Sequence, residues 1–219
     1  MSTKYSELFK IFLSKYKPVE LIEIRDMLKL GIPRTTLYRM LNKKIELKEM
    51  DKAYPGLYYK TEFLWGKKNM SVPPSLESLI EKLFNINGEK PKAYLTGYMI
   101  YNGFGLTPQV PAVSEYASEK TVKNNFLKKM RVEFRKSKAP ITKTNIFLLQ
   151  LLDCIEKYTG IMGFDSKVDL LNLRLSKLLD ILSLDKKDEI IRLSKYYKLE
   201  TQARLEKLLN YEESMKGEL

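Results

Sequence analysis

The chain has 219 residues, 44% of them hydrophobic and 30% charged, and a formal net charge of +12. That apolar content can fill a core and the length suits one large domain or two small ones, which excludes a chain disordered over most of its length. With no histidine and a single cysteine, Cys154, an internal disulfide is excluded and the commonest metal ligand and general base are missing.

The opening MSTKYSELFKIFLSKYK mixes lysine and glutamate in an amphipathic pattern and offers no small-residue cleavage site. No uncharged run approaches the ~18 apolar residues of a membrane span. The expected location is cytoplasmic, with no membrane partner. Residues 1–74 carry 15 basic and 8 acidic side chains, residues 120–143 carry 9 and 1, and the rest is close to neutral. Two basic modules on a neutral scaffold point to a polyanion. Nucleic acid fits better than an anionic membrane, because the basic residues lie on no helix with a bulky apolar face.

In chain order, residues 4–16 read as a helix with Leu8, Phe9, Phe12, Leu13 and Tyr16 on one face. Pro18 is placed to open a second helix through VELIEIRDML, with Leu21, Ile24 and Leu28 inward, and Gly31 ends the turn after it. IPRTTLYRMLNKK restarts a helix at Pro33 with Leu37, Met40 and Leu41 buried. Two short helices joined through a glycine have the spacing of a helix-turn-helix. The outer face of the second then presents Arg34, Thr35, Tyr38, Arg39 and Asn42, with Lys43 and Lys44 at its end and no acid between Arg34 and Lys44. Arginines can grip guanine edges, asparagine suits adenine, and threonine and lysine suit phosphates, so this is the face of a major-groove reader. An ordinary solvated helix face is the plainer reading.

IELKEMDKAYPGLYYKT reads as a hairpin turning near Asp51-Lys52 or Pro55-Gly56. A hairpin directly after a recognition helix makes a winged helix, with Lys48, Lys52 and Tyr54 near the tip along the phosphate backbone. Residues 60–74, with Trp65 and Lys67-Lys68, read as a linker or return strand. The domains are therefore 1–72 and 73–219.

In the second domain Ser75 caps a helix over SLESLIEKLF, and AYLTGYMIYNGFG reads as a further helix stopped by Gly103 and Gly105. GLTPQVPAV, uncharged, is an ordered loop with Val110 and Val113 packed inward, feeding an edge strand at Ala112–Tyr116. In LKKMRVEFRK, Met130, Val132 and Phe134 alternate with charged residues, a half-buried strand with one basic face. Lys128, Lys129, Arg131, Arg135 and Lys136 form this second basic surface, suited to nucleic acid or an acidic protein, or serving only to protect an edge. Short strands near 112–136 are followed by four helices over 142–213, with Asp185 capping the third. Cys154 reads as a buried apolar side chain. The fold class is α+β and mostly helical: a winged helix-turn-helix, then a mixed α/β and finally helical domain.

No phosphate loop, Cys/His cluster or nucleophile elbow occurs, and Asp165, Asp169, Asp185 and Asp188 are scattered. No catalytic residue, metal or cofactor is assigned, and the chain is not read as an enzyme.

The run Phe104-Gly105-Leu106-Thr107-Pro108-Gln109-Val110-Pro111, preceded by YLTGYMIYN and by the winged-helix pattern, resembles the AbiEi-type antitoxins of type IV, abortive-infection toxin–antitoxin systems. The likeness spans residues 18–158. It implies an N-terminal winged helix that binds operator repeats in double-stranded DNA and represses its own operon. It also implies a C-terminal domain that counters a cognate nucleotidyltransferase toxin without a stable complex, in phage defence. The helices after Gly160 carry no such likeness. Alternatives are a plain winged-helix transcription factor or a protein-interaction module without antitoxin activity.

Overall fold

The computed structural model describes residues 3–62, 72–157 and 168–211. Trp65, Lys67, Lys68, Asp165 and the terminal SMKGEL lie outside them. The fold is mixed α+β, with ten helices and two three-stranded sheets among the described residues. By compactness the chain divides into Met1–Leu83 and Phe84–Leu219, where composition places the boundary at 72/73.

The first unit runs α1 (Thr3–Ser14), β1 (Leu21–Glu23), α2 (Ile24–Leu28), α3 (Arg34–Glu46), β2 (Met50–Tyr54), β3 (Leu57–Lys60) and α4 (Leu76–Phe84), whose last residue belongs to the second unit. The helix expected from Pro18 is instead a short strand and a shorter helix. Leu21, Ile22 and Glu23 pair antiparallel with Tyr59, Tyr58 and Leu57. Leu21 and β-branched Ile22 are both buried, and such residues favour extended backbone once β3 offers a partner. β3 also pairs with β2, giving the order β1-β3-β2. The hairpin turns at Pro55-Gly56, where Gly56 takes φ 83, a left-handed value that costs glycine little. The Gly56 carbonyl accepts from the Ile24 amide at 2.9 Å, which ties the turn to the start of α2.

Gly31, at φ 70, turns the chain between α2 and α3 as its sequence position predicts. Ile32, Leu37, Met40 and Leu41 then join Phe9, Ile22, Met27, Met50 and Tyr58 in one core. At α4 the Ser75 hydroxyl accepts from the Ser78 amide at 3.1 Å, the expected N-cap.

The second unit contains β4 (Ala93–Thr96), α5 (Tyr98–Gly103), β5 (Ser114–Ser118), α6 (Asn125–Lys129), β6 (Val132–Lys136), α7 (Ile146–Glu156), α8 (Val168–Asp180), α9 (Leu184–Ser194) and α10 (Leu199–Leu209). The helix predicted over AYLTGYMIYNGFG therefore starts late. Ala93–Thr96 is a strand, and Gly97, at φ 71 and ψ −157, makes the bend into α5. β5 is the middle strand and not an edge, antiparallel to β4 and parallel to β6.

Gly105 ends α5 at φ 68. The Leu106 amide returns to the Tyr101 carbonyl and the Gly105 amide to the Asn102 carbonyl, both at 2.8 Å, the paired bonds of a Schellman cap. Leu106 is fully buried in the helical core of α5 and α7–α10. Val110, expected inward, is 80% exposed; the buried anchors are Leu106 and Thr107, the latter's hydroxyl accepting from the Gln109 amide at 3.2 Å. Cys154 is buried within α7, and burial pushes its thiol well above its ordinary pKa. Asp185 sits in the first turn of α9, behind Ser183 at the cap position. No helix among the described residues is long and apolar enough to cross a membrane.

Candidate nucleic-acid interface

Burial of Leu37, Met40 and Leu41 fixes the rotation of α3 and so decides what its far side presents. Arg34, Thr35, Arg39, Asn42 and Lys43 are exposed and Tyr38 is half-buried. All six line one shallow surface, with Glu46 at its end. The Arg34 guanidinium lies 5.7 Å from the centre of the Tyr38 ring, a cation–π contact that draws two of the candidate reading side chains together. Thr35 and Asn42 add uncharged hydrogen-bonding groups. Arg34 and Arg39 carry no acidic partner among the described residues, so their charge faces outward.

The remaining candidates separate from this surface. Lys44 is half-buried and ion-paired with Glu49, which neutralises it locally. Lys48 takes φ 56 in the turn leaving α3, at the opposite end of the hairpin from its tip, and its carbonyl accepts from the Thr61 hydroxyl at 2.5 Å. Lys52 is exposed within β2, with Tyr54 beside the turn. Of the hairpin residues, only Lys52 and Tyr54 lie towards the tip.

The second basic surface is not one strand face. Lys128 and Lys129 end α6, whose N-cap Asn124 accepts from the amides of Phe126 at 3.0 Å and Leu127 at 3.2 Å. Arg131 takes φ 58 in the turn that follows. Only Val132–Lys136 is strand, and Phe134 and Arg135 in it pack on opposite sides. The Leu95, Tyr116 and Phe134 row carries an aromatic group, with the Phe134 ring 5.6 Å from Tyr116 and 4.5 Å from Phe84. The Tyr94, Ala117 and Arg135 row faces α7, so Arg135 is turned inward and ion-paired with Asp153. That removes Arg135 from the basic surface and leaves Lys128, Lys129, Arg131 and Lys136 exposed.

Asp153 is the polar centre that the sequence pattern did not disclose. Its carboxylate accepts from the Tyr94 hydroxyl at 2.9 Å, the Thr96 hydroxyl at 2.7 Å and the Tyr197 hydroxyl at 2.9 Å, besides pairing with Arg135. Arg135 also donates to Thr96 at 3.0 Å. The available signal was one acid in the apolar run FLLQLLDCI. With both oxygens engaged and the carboxylate 0% exposed, this network joins β4, β6 and α7 to Tyr197 in the connection between α9 and α10. No group of three or more Cys, Asp or Glu side chains among the described residues is placed to hold a metal.

The chain matches no model of a known protein family, and no curated protein matches it.

Proposed function

We propose that the protein is a winged-helix DNA-binding protein that represses its own operon and serves as the antitoxin to a nucleotidyltransferase toxin in phage defence. The order helix, strand, helix, helix, strand, strand with a β1-β3-β2 sheet supports the winged-helix reading, with α3 as the helix that enters the major groove. The observation that carries the DNA half is the outer face of α3: Arg34, Thr35, Tyr38, Arg39, Asn42 and Lys43 form one outward surface. Such a mixture of arginine, amide and hydroxyl groups supplies both phosphate contacts and base-edge donors. Neither Arg34 nor Arg39 has an acidic partner among the described residues, which leaves both charges available to phosphates or guanine edges.

The antitoxin half rests on the resemblance carried by residues 104–111. Coexpression tests it. The gene beside this one should encode a nucleotidyltransferase-like protein that arrests growth alone, and this chain should relieve the arrest. DNA binding without relief would leave a transcription factor. Relief without DNA binding would move the function to the second unit and its exposed Lys128, Lys129, Arg131 and Lys136.

A further inference from the structure

Lys43 belongs to two surfaces. It lines the outer face of α3, and it also lines a groove of about 580 Å³ walled by α1, the end of α3 and the chain entering β2. Phe9 and Leu13 of α1, Met40 of α3 and Met50 of β2 make an apolar floor, and Leu47, 56% exposed, stands at the rim.

The charges around that floor are unequal. The groove's one acid, Glu49, is ion-paired with Lys44, and the Lys60 ammonium donates to the Tyr16 carbonyl at 2.9 Å. Lys10 and Lys43, on different helices, are exposed and have no acidic partner among the described residues. An apolar floor beneath two uncommitted cations complements a molecule with an apolar body and one anionic head. The volume lies within the ~300–1,000 Å³ of small-ligand sites.

We propose that this groove is an effector site for a small amphiphilic anion, an aromatic or aliphatic body carrying one carboxylate or sulfonate, and that occupation withdraws Lys43 from DNA. The coupling to DNA rests on the reading of α3 given above; the site itself does not. A bound anion engages Lys43 from the groove side and cancels its charge at the end of α3. The same lysine cannot then neutralise a phosphate, so effector and DNA oppose each other, and each weakens the other by the same factor.

The test uses the folded full-length protein, with anilinonaphthalene sulfonate as the anionic probe and phenylnaphthylamine as its uncharged counterpart. The sulfonate should saturate at one molecule per chain, and Lys10→Ala or Leu47→Glu should each weaken it about tenfold without lowering the melting temperature. The uncharged probe should bind at least about tenfold more weakly than the sulfonate, because it forfeits the two ammonium groups. Equal affinity of the two probes, or indifference to both substitutions, overturns the site. In the absence of probe, Lys10→Ala should bind duplex DNA as the unaltered chain does. Saturating sulfonate should weaken duplex binding by the unaltered chain, and unchanged duplex affinity overturns the withdrawal of Lys43. If the protein binds no duplex under any condition, the DNA reading fails while the probe titrations still decide the site.

Discussion

Arg135 on β6 and Asp153 on α7 form an ion pair in which the carboxylate is 0% exposed and the guanidinium side chain 29% exposed. A buried charge that loses its partner is costly, whereas exchanging both partners for apolar groups is often tolerated. Asp153→Ala strands Arg135 and three hydroxyls at once, and should lower unfolding stability by about 3–5 kcal/mol. Adding Arg135→Met to Asp153→Ala should recover part of that loss, because it removes the stranded guanidinium and leaves the stranded hydroxyls. Denaturant unfolding of the four proteins of the cycle measures both effects. Additive losses would mean that the pair is not coupled.

Alkaline pH should act on the same region through tyrosine. Burial, the largest cause, and then the Asp153 charge hold the Tyr94 and Tyr197 phenols above their ordinary value of 10.0; burial likewise raises Tyr101. An acid whose folded-state pKa is raised keeps its proton longer folded than unfolded, so the unfolded chain releases protons first. The stabilising contribution is complete below pH 10.0 and declines as pH climbs above it. Thermal melts should fall steeply on that limb, and Tyr197→Phe, though less stable at neutral pH, should fall less steeply. An identical slope in the variant would remove Tyr197 from the linkage.

Two glycines of the second unit should respond differently to alanine. At Gly105 a Cβ would meet nothing closer than 3.8 Å, so the cost is that of the left-handed backbone alone, about 1–2 kcal/mol. At Gly97 the Cβ would approach the Glu115 side chain to 2.5 Å from a conformation rare outside glycine, adding a clash to strain of about 1–3 kcal/mol. Gly97→Ala should therefore be the more damaging by chemical denaturation, and the reverse order would contradict the backbone assignment.

The elements legible in the sequence were those whose own periodicity settles them. α3 kept its predicted buried face because Leu37, Met40 and Leu41 repeat at helical spacing, and with that face fixed the candidate DNA surface followed. Ser75 and Gly105 were legible because capping is a local bond. What escaped depends on partners remote in sequence. Leu21–Glu23 is a strand because β3 pairs with it, and Ala93–Thr96 because β5 does. Arg135 looked solvent-facing on alternation alone, since alternation assumes one wet face and β6 has α7 on one side and Phe84 on the other. The partner that draws it inward, Asp153, lies on a different element.

Lys52 and Lys44 should separate by their salt dependence. Lys52→Ala should weaken binding to every duplex alike and lower the slope of log affinity against log salt by about 1, as expected for one lost phosphate contact. Lys44→Ala, which removes a lysine already paired with Glu49, should leave a smaller change. Fluorescence anisotropy titrations across a salt series distinguish them, and equal slopes for both variants and the unaltered chain would take β2 away from the backbone.

The most direct measurement is the affinity of the full-length protein for duplex DNA from directly upstream of its own coding sequence, against a scrambled duplex of equal length. Arg34→Ala and Arg39→Ala should each cost about 1–3 kcal/mol on the upstream duplex and less on the scrambled one. Replacing Arg34, Tyr38 and Arg39 together should abolish the preference while the protein still melts cooperatively. A triple variant that retains full affinity and preference for the upstream duplex would contradict the account, because α3 would then not be the helix that reads DNA.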